Sequence, residues 1–197
     1  VATLLNLVRA SQRFEGARSE AVLAYHLLCV LRSYFRSHLA LLASQIHSQG
    51  HSKRGLTVNP AKATDMDAKS LSFLIREVRT DARAAVWLAC ETWPAAADFE
   101  DGGGASVLLH FAQRDQTGNY HSETVVSALE VLRIVTLSRR SHAHVAQTAP
   151  LHRRRSGSTQ QEAVEALLDS AARYRSHADP KVASGALQVL VHLVCVP

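Results

Sequence analysis

The stretch Asp179-Pro180-Lys181-Val182-Ala183-Ser184-Gly185-Ala186-Leu187-Gln188-Val189-Leu190-Val191-His192-Leu193-Val194 decides the fold class. Asp179 is placed to accept the first free amides as an N-cap. Pro180 suits the first helical position, where no amide hydrogen bond is needed. Val182, Ala186, Val189 and Leu193 recur at helical spacing and form one stripe. Ala183, Leu187, Leu190 and Val194 form a second stripe beside it. A helix with one solvated face needs one such stripe. Two stripes predict neighbours on more than one side, as in stacked helical repeats.

An earlier segment, Ala128-Leu129-Glu130-Val131-Leu132, echoes Ala186-Leu187-Gln188-Val189-Leu190. Their separation exceeds the roughly 40–47 residues of an armadillo or HEAT unit. The excess is about the length of the polar stretch from Thr148 to Ser158. The pattern predicts two copies of one helical unit, the second reached through an insertion. The expected fold is therefore all-α, an armadillo/HEAT-like α-solenoid segment over residues 1–197.

Composition agrees. The chain has 197 residues, 47% of them apolar but only 6% aromatic, and Ala and Leu dominate the apolar set, which favours helices over sheets. Residue 1 is Val, and apolar helices lie near both ends, whereas the capping repeats of a solenoid carry a polar outer face. The expectation is a segment of a longer chain. No run approaches 18 apolar residues, so no membrane span or membrane partner is expected.

Taken in order, residues 1–13 read as a first helix. Residues 20–49 read as one long helix in which Ala21, Leu28, Leu31, Phe35, Leu39, Leu42 and Ile46 keep the period. Gly50, Gly55, Asn59 and Pro60 predict a loop over 50–64, and Thr64 or Asp65 is placed to cap the next helix, with Leu71, Leu74, Ile75 and Val78 inward. Helix continues over 81–92, and Pro94 is expected to end it. Residues 94–104 read as a linker, residues 107–111 as a leucine-rich helix, and Ser122 as the cap of a helix from Glu123 to about Ser138. A short helix is expected around His144 and Val145, and a basic loop over 148–158. A further helix spans 159–175, with Val164, Leu167, Leu168 and Ala171 inward. Leu56-Thr57-Val58 is too short for a convincing strand.

Net charge is +5, distributed unevenly. No acid occurs between Glu20 and Asp65, or between Glu130 and Glu162. The second gap holds Arg133, Arg139, Arg140, Arg153, Arg154 and Arg155. Arg139, Arg140, Arg153, Arg154 and Arg155 are the candidate partner contacts, for phosphates or an acidic protein. A solvated loop is the plainer interpretation of the same block. No aromatic lies between Tyr120 and Tyr174, so base stacking finds no platform there, which argues against nucleic acid. Arg153-Arg154-Arg155-Ser156 also fits a basophilic kinase site, with an unmodified loop as its default.

No catalytic constellation is present in the sequence. His142 and His144 stand two apart and point in different directions on a helix. His47 and His51 straddle Gly50, with no nearby acid or cysteine as a third ligand, so no metal or cofactor is expected. Gly102-Gly103-Gly104 lacks the Gly-Lys-Ser/Thr ending of a phosphate loop and reads as a helix-start linker. Asp98, Glu100 and Asp101 read as a solvated acidic cluster without the apolar shell that acid–base chemistry needs. Ser156 and Ser158 lack a nucleophile context. Cys29, Cys90 and Cys195 are isolated, and their apolar surroundings predict buried reduced thiols.

Several strings, in order, resemble one family. Arg32-Ser33-Tyr34-Phe35-Arg36-Ser37-His38-Leu39-Ala40 is similar to its R-x-Y-F-x-x-H-L-A helix, and Gly55-Leu56-Thr57-Val58-Asn59-Pro60 to the following G-x-x-V-x-P loop. Trp93-Pro94-Ala95 is close to W-x-P-A with one residue missing. Residues 128–136 resemble A-L-x-V-L-x-x-x-T, and residues 186–197 resemble A-L-Q-V-x-x-x-x-V-C-x-P. The family is the Vpr-binding protein, the substrate receptor associated with the cullin-4 ubiquitin ligase. The chain departs from it in the Thr148–Ser158 loop and the Asp98–Asp101 linker.

The resemblance implies an armadillo-like segment of a large nuclear protein, with a cytoplasmic pool as a second location. It implies a non-catalytic scaffold that supports substrate recruitment for ubiquitination. In the family, a LisH motif and a WD-repeat propeller lie further along, and the propeller docks on the damaged-DNA-binding adaptor. Protein partners are expected, the adaptor through regions outside these residues. The rivals are an unrelated armadillo/HEAT adaptor for nuclear transport or chromatin, and a helical metal-dependent enzyme.

Overall fold

The helical periods become helices in the computed structural model, which describes residues 1–11, 18–48, 66–80, 94–113, 121–148, 159–173 and 180–194. Among the described residues the order is α1 (Ala2–Ser11), α2 (Arg18–Ser48), α3 (Ala68–Thr80), α4 (Pro94–Asp101), α5 (Gly104–Gln113), α6 (His121–Val135), α7 (Arg139–Gln147), α8 (Thr159–Arg173) and α9 (Pro180–Val194). No strand occurs among the described residues, and the chain is all-α there.

Helix α6 is the centre. It packs on α2, α5 and α9, and more lightly on α7. Its side chains are buried almost all round: Val125, Ala128, Leu129, Val131, Leu132, Ile134 and Val135, together with Thr124 and Ser127. A helix apolar on every side must be enclosed. Helix α2, 31 residues and about 46 Å long, lies along one flank and turns Leu28, Leu31, Phe35, Leu39 and Leu42 inward. On α3, Leu71, Leu74, Ile75 and Val78 are all buried against it. Helix α9 covers another flank of α6, and α8 packs on α9, α5 and α7.

The echoing segments are therefore direct neighbours. Gly185 of α9 brings its bare backbone to Leu129 of α6, where an added Cβ would sit 3.4 Å from the Leu129 side chain. Their burial differs, however. Val182, Ala186, Val189 and Leu193 are buried with Leu190, while Leu187 is 52% and Val194 71% exposed. The second stripe of α9 thus points largely outward, and the contact with both α6 and α8 runs through one broad buried face.

Residues 94–104 are not a linker. Pro94 opens α4, as its fixed φ and absent N–H allow at a first turn. Phe99 anchors α4, fully buried and edge-on to Phe35 at a ring separation of 5.9 Å. The turn into α5 uses Gly103 in the left-handed region at φ 64°, donating to the Glu100 carbonyl at 2.8 Å. Gly104 then lets the Phe99 ring lie against the start of α5, since a Cβ there would fall 2.2 Å from it. Arg9 ties α1 to the turn by donating to the Gly102 carbonyl at 2.8 Å.

Other boundaries shift for identifiable reasons. Asp67, not Thr64 or Asp65, caps α3, its carboxylate accepting from the Ser70 amide at 2.8 Å. Ser122 lies inside α6 with its hydroxyl turned to Glu123. The helix expected to reach Ser138 stops at Val135, and a tight turn over 136–138 leads into α7. Leu168 is half-exposed on α8 while Leu167 and Ala171 face the core. The loop over 50–64, the helix over 81–92, the short strand candidate and positions 149–158 lie outside the described residues. None of the described helices is long and apolar enough to cross a membrane.

Candidate interaction surface

Three polar joints interrupt the apolar core. The first crosses α2 and α6. Arg36 is buried on the inner side of α2, next to Phe35, and forms a two-point ion pair with Glu130 of α6 through its Nε and Nη2, the latter at 2.9 Å. Its Nη1 donates to the Met66 carbonyl at 2.9 Å, just before α3. One guanidinium therefore joins three elements. A buried cation held this way meets the requirement that charge leaving water be paired and hydrogen-bonded. One turn earlier, Arg32 donates to Ser127 at 3.2 Å and lies 4.0 Å from the Cys29 sulfur. Cys29 is a free, half-buried thiol at the rim rather than in the core, and Cys90 and Cys195 lie outside the described residues.

The second joint faces α4. Tyr34 and His38 stack along α2 with rings 4.3 Å apart, near Asp98. Burial pushes the His38 imidazole below its ordinary value, against the opposing pull of Asp98, and pushes the Tyr34 hydroxyl up. The acidic cluster expected to be a solvated loop is on this helix. Glu100 accepts from the buried Ser141 hydroxyl of α7 at 2.7 Å, so it clamps α4 to α7.

The third joint gathers the ends of α6, α7 and α9. His192 is buried, with Nδ1 3.1 Å from the Arg133 carbonyl and 3.2 Å from the Thr136 hydroxyl. A carbonyl only accepts, so Nδ1 carries the proton. Burial, reinforced by the positive charges of Arg79 and Arg133, pushes His192 down to about 4. His142 meets the Leu193 carbonyl through Nε2 at 2.8 Å. His142 and His144 thus part company, as their spacing requires. Among the described residues no group of three His, Cys, Asp or Glu side chains could hold a metal ion.

Of the candidate contacts, Arg139 and Arg140 form the first turn of α7, beside this third joint; their side chains are not described. Arg153, Arg154 and Arg155 lie outside the described residues. The partners the sequence did not reveal are Arg36 with Glu130 and Thr136 with His192, separated by 94 and 56 residues. No local spacing connects groups so far apart. Their only trace is a polar residue standing at an otherwise apolar position.

Apolar groups also face outward. Leu187, Val191 and Val194 line one side of α9, and Leu23, Val30 and Leu41 recur along α2, all about half-exposed or more. Contiguous exposed apolar surface is where protein partners are met, whereas single exposed apolar residues are ordinary.

Fold and joints together define a multi-helix packing unit whose polar groups serve to fasten helices. A family model described as the DCAF1 helical domain matches residues 24–197, and the chain belongs to that family. Among curated proteins, DDB1- and CUL4-associated factor homolog 1 of Arabidopsis thaliana is 30% identical over 189 residues, covering 91% of this chain and 10% of the relative. The chain spans about a tenth of the length of that relative. The Vpr-binding protein resemblance carried by the quoted motifs is thereby met. No solved structure matches.

Proposed function

We propose that the chain is a non-catalytic scaffold segment of a cullin-4 ubiquitin ligase substrate receptor, supporting the recruitment of protein substrates. The observation that carries this reading is the family match over residues 24–197. It is supported by the curated relative, whose printed name associates that protein with DDB1 and CUL4. The stacked helices supply an extended surface for protein partners, which is what a solenoid of armadillo type offers. The polar groups described above fasten one helix to another rather than converging on a reactive centre, in keeping with a supporting role. The same reading assigns the protein to the nucleus, with a cytoplasmic pool.

The full-length protein carrying this segment should co-purify with the cullin-4 adaptor, and the segment alone should not. Deleting the segment should reduce substrate capture while leaving adaptor binding intact. Adaptor binding by the isolated segment as tight as that of the full chain would overturn the supporting role. A full-length protein that never associates with the ligase would overturn the family-based function altogether.

A further inference from the structure

Helix α1 rests on the bundle through few groups. It packs on α2 and, more lightly, on α4 and α5. Among its described side chains only Leu5 and Val8 are buried; Leu4 and Arg9 are half-buried, and Leu7 is exposed. Its polar tie runs from Arg9 Nη2 to the Gly102 carbonyl at 2.8 Å, while Arg9 Nη1 is occupied within α1 by Asn6. A helix of 10 residues is not stable alone in water, because nucleation costs more than so few turns return. Helix α1 therefore keeps its shape only while docked. Helix α6, by contrast, is buried almost all round. Elements with few buried contacts open before the rest of a fold.

The seat of α1 is shaped for a helix. A Cβ on Gly102 would fall 2.6 Å from Leu5 Cδ1 and 3.5 Å from Ala2 Cα, so glycine there lets both the α1 backbone and its main anchor come in. A Cβ on Gly103 would fall 2.9 Å from Arg9 Nη2. Leu5, Val8 and Arg9 stand three and four residues apart and so share one face of α1. That face meets bare backbone at the turn between α4 and α5, and a carbonyl that takes the guanidinium. The family match begins at residue 24, so it takes in the glycine turn and most of α2 but leaves out α1. Seat and occupant are separate pieces of the chain.

We propose that α1 is a detachable strap: α2 and the Gly102–Gly104 turn form a groove for one short apolar helix, which α1 fills and from which a helix of a protein partner with the same Leu-x-x-Val-Arg pattern displaces it. The chemistry of the partner is read from the helix already seated: an apolar face laid into a groove and an arginine on a backbone carbonyl. Because α1 stays tethered through residues 12–17, it competes at high effective concentration. A partner meets only the fraction of molecules in which α1 is off, and its apparent affinity scales with that fraction. Neither the groove nor its occupant depends on the ligase reading; co-purification with the adaptor tests that reading, and competition for the groove tests this one.

The test is fluorescence anisotropy of the full chain with a labelled peptide of residues 1–13 and with its Leu5→Ser/Val8→Ser counterpart. Arg9→Ala in the protein loosens α1 without altering the groove. The peptide should then bind about tenfold more tightly than to the unsubstituted chain, the size of one lost charge-assisted contact in α1. The serine counterpart should not bind. Gly102→Val fills the groove and should abolish binding although α1 itself is unchanged. Hydrogen exchange gives a second measurement. The α1 amides should exchange faster than those of α6, and about tenfold faster again in Arg9→Ala, while α6 is unaffected. The α6 amides also report whether Gly102→Val keeps its fold; should it unfold, the Arg9→Ala comparison decides alone. Equal peptide affinity for Arg9→Ala and the unsubstituted chain would overturn the competition. Exchange of α1 in step with α6 would make α1 an integral helix and overturn the strap. Equal binding of the two peptides, or binding retained by a folded Gly102→Val, would remove the groove. An Arg9→Ala dimer that the peptide dissociates would give the groove to α1 of a second copy instead of a partner helix.

Discussion

Helix α6 carries two charged side chains one turn apart, and they meet opposite fates. Glu130 faces α2, where Arg36 matches it at two points and the Met66 carbonyl takes the remaining donor. Arg133 faces the corner of α3 and α9, where it meets Ser72, Arg79 and a neutral His192, with Glu130 on its own helix as its favourable charge. The first seam is closed around Arg36: each nitrogen of that guanidinium has an acceptor. The second is open: positive charge accumulates beside a buried imidazole. Burial alone therefore does not say what a charged group contributes. The seam fastens the core, while at the corner the charges of Arg79 and Arg133 bear on a buried imidazole.

The largest expected effect lies in the closed seam. Arg36→Met or Glu130→Leu strands a buried charge, which costs about 3–5 kcal/mol when one partner of such a pair is removed. The double variant should cost clearly less than the sum of the two, because no charge is then left unpaired. Its residual loss should reflect the Met66 carbonyl, which loses its donor. Urea denaturation of the four proteins gives the cycle. Single variants that each cost under about 1 kcal/mol would mean that water reaches the pair and that the seam is no more closed than the corner.

An intermediate effect is expected at the corner on acidification. His192 sits at about 4 when folded, against 6.5 for the unexposed-to-field imidazole of an unfolded chain. The unfolded state therefore binds more protons between these values, so stability is full above about 6.5 and falls as pH drops toward 4. The shift corresponds to about 3 kcal/mol over that window. Burial lowers His38 as well, with the same sign, so the whole protein will lose more than this one group explains. His192→Gln should remove its own share, flattening the slope between pH 6.5 and 4. An unchanged slope would show that His192 keeps ordinary access to solvent.

Much of this architecture follows from residue spacing. Leu71, Leu74, Ile75 and Val78 have the period of a helix with one inner face, and all four are buried. Helix α4 was hidden because Pro94 resembles a stop signal when the chain before it reads as helix, although the same residue opens a helix equally well. The acids at 98, 100 and 101 suggested solvent, and a single Phe99 outweighs them by inserting against Phe35. Leu168 and Leu187 show the limit of periodicity: both belong to apolar rows, yet which edge of a row faces the core depends on where α6 and α8 lie. The joints were less legible still. Arg36 and Glu130 each fall at an unspecified position of a quoted motif, and only the packing of α2 on α6 brings them together. Arg139 and Arg140 were marked by charge density, and their backbone does begin α7 beside the corner where Arg79 and Arg133 converge.

The smallest stability effect should come from Arg79→Ser, and it separates the two regions most sharply. Arg79 is exposed, and among the described residues it holds no hydrogen bond or ion pair that its loss would break. A surface substitution of this kind changes stability by no more than about 0.5 kcal/mol at neutral pH. The loss of its charge should nevertheless register on His192, because Arg79 is the strongest of the cations that disfavour the imidazolium. The sign follows directly: with one repulsive charge gone, the protonated form is less costly and the folded-state value rises toward 6.5. The acid-dependent loss of stability must then shrink, since the gap between folded and unfolded values narrows. An NMR titration of the His192 ring protons reads the first effect, and thermal unfolding at pH 7 and pH 5 reads the second. A rise in the imidazole value with unchanged stability at pH 7 is the outcome that an open, cation-rich corner requires. A loss above about 1 kcal/mol at pH 7 would mean instead that Arg79 is a structural fastener like Arg36, and the contrast between the two faces of α6 would not hold.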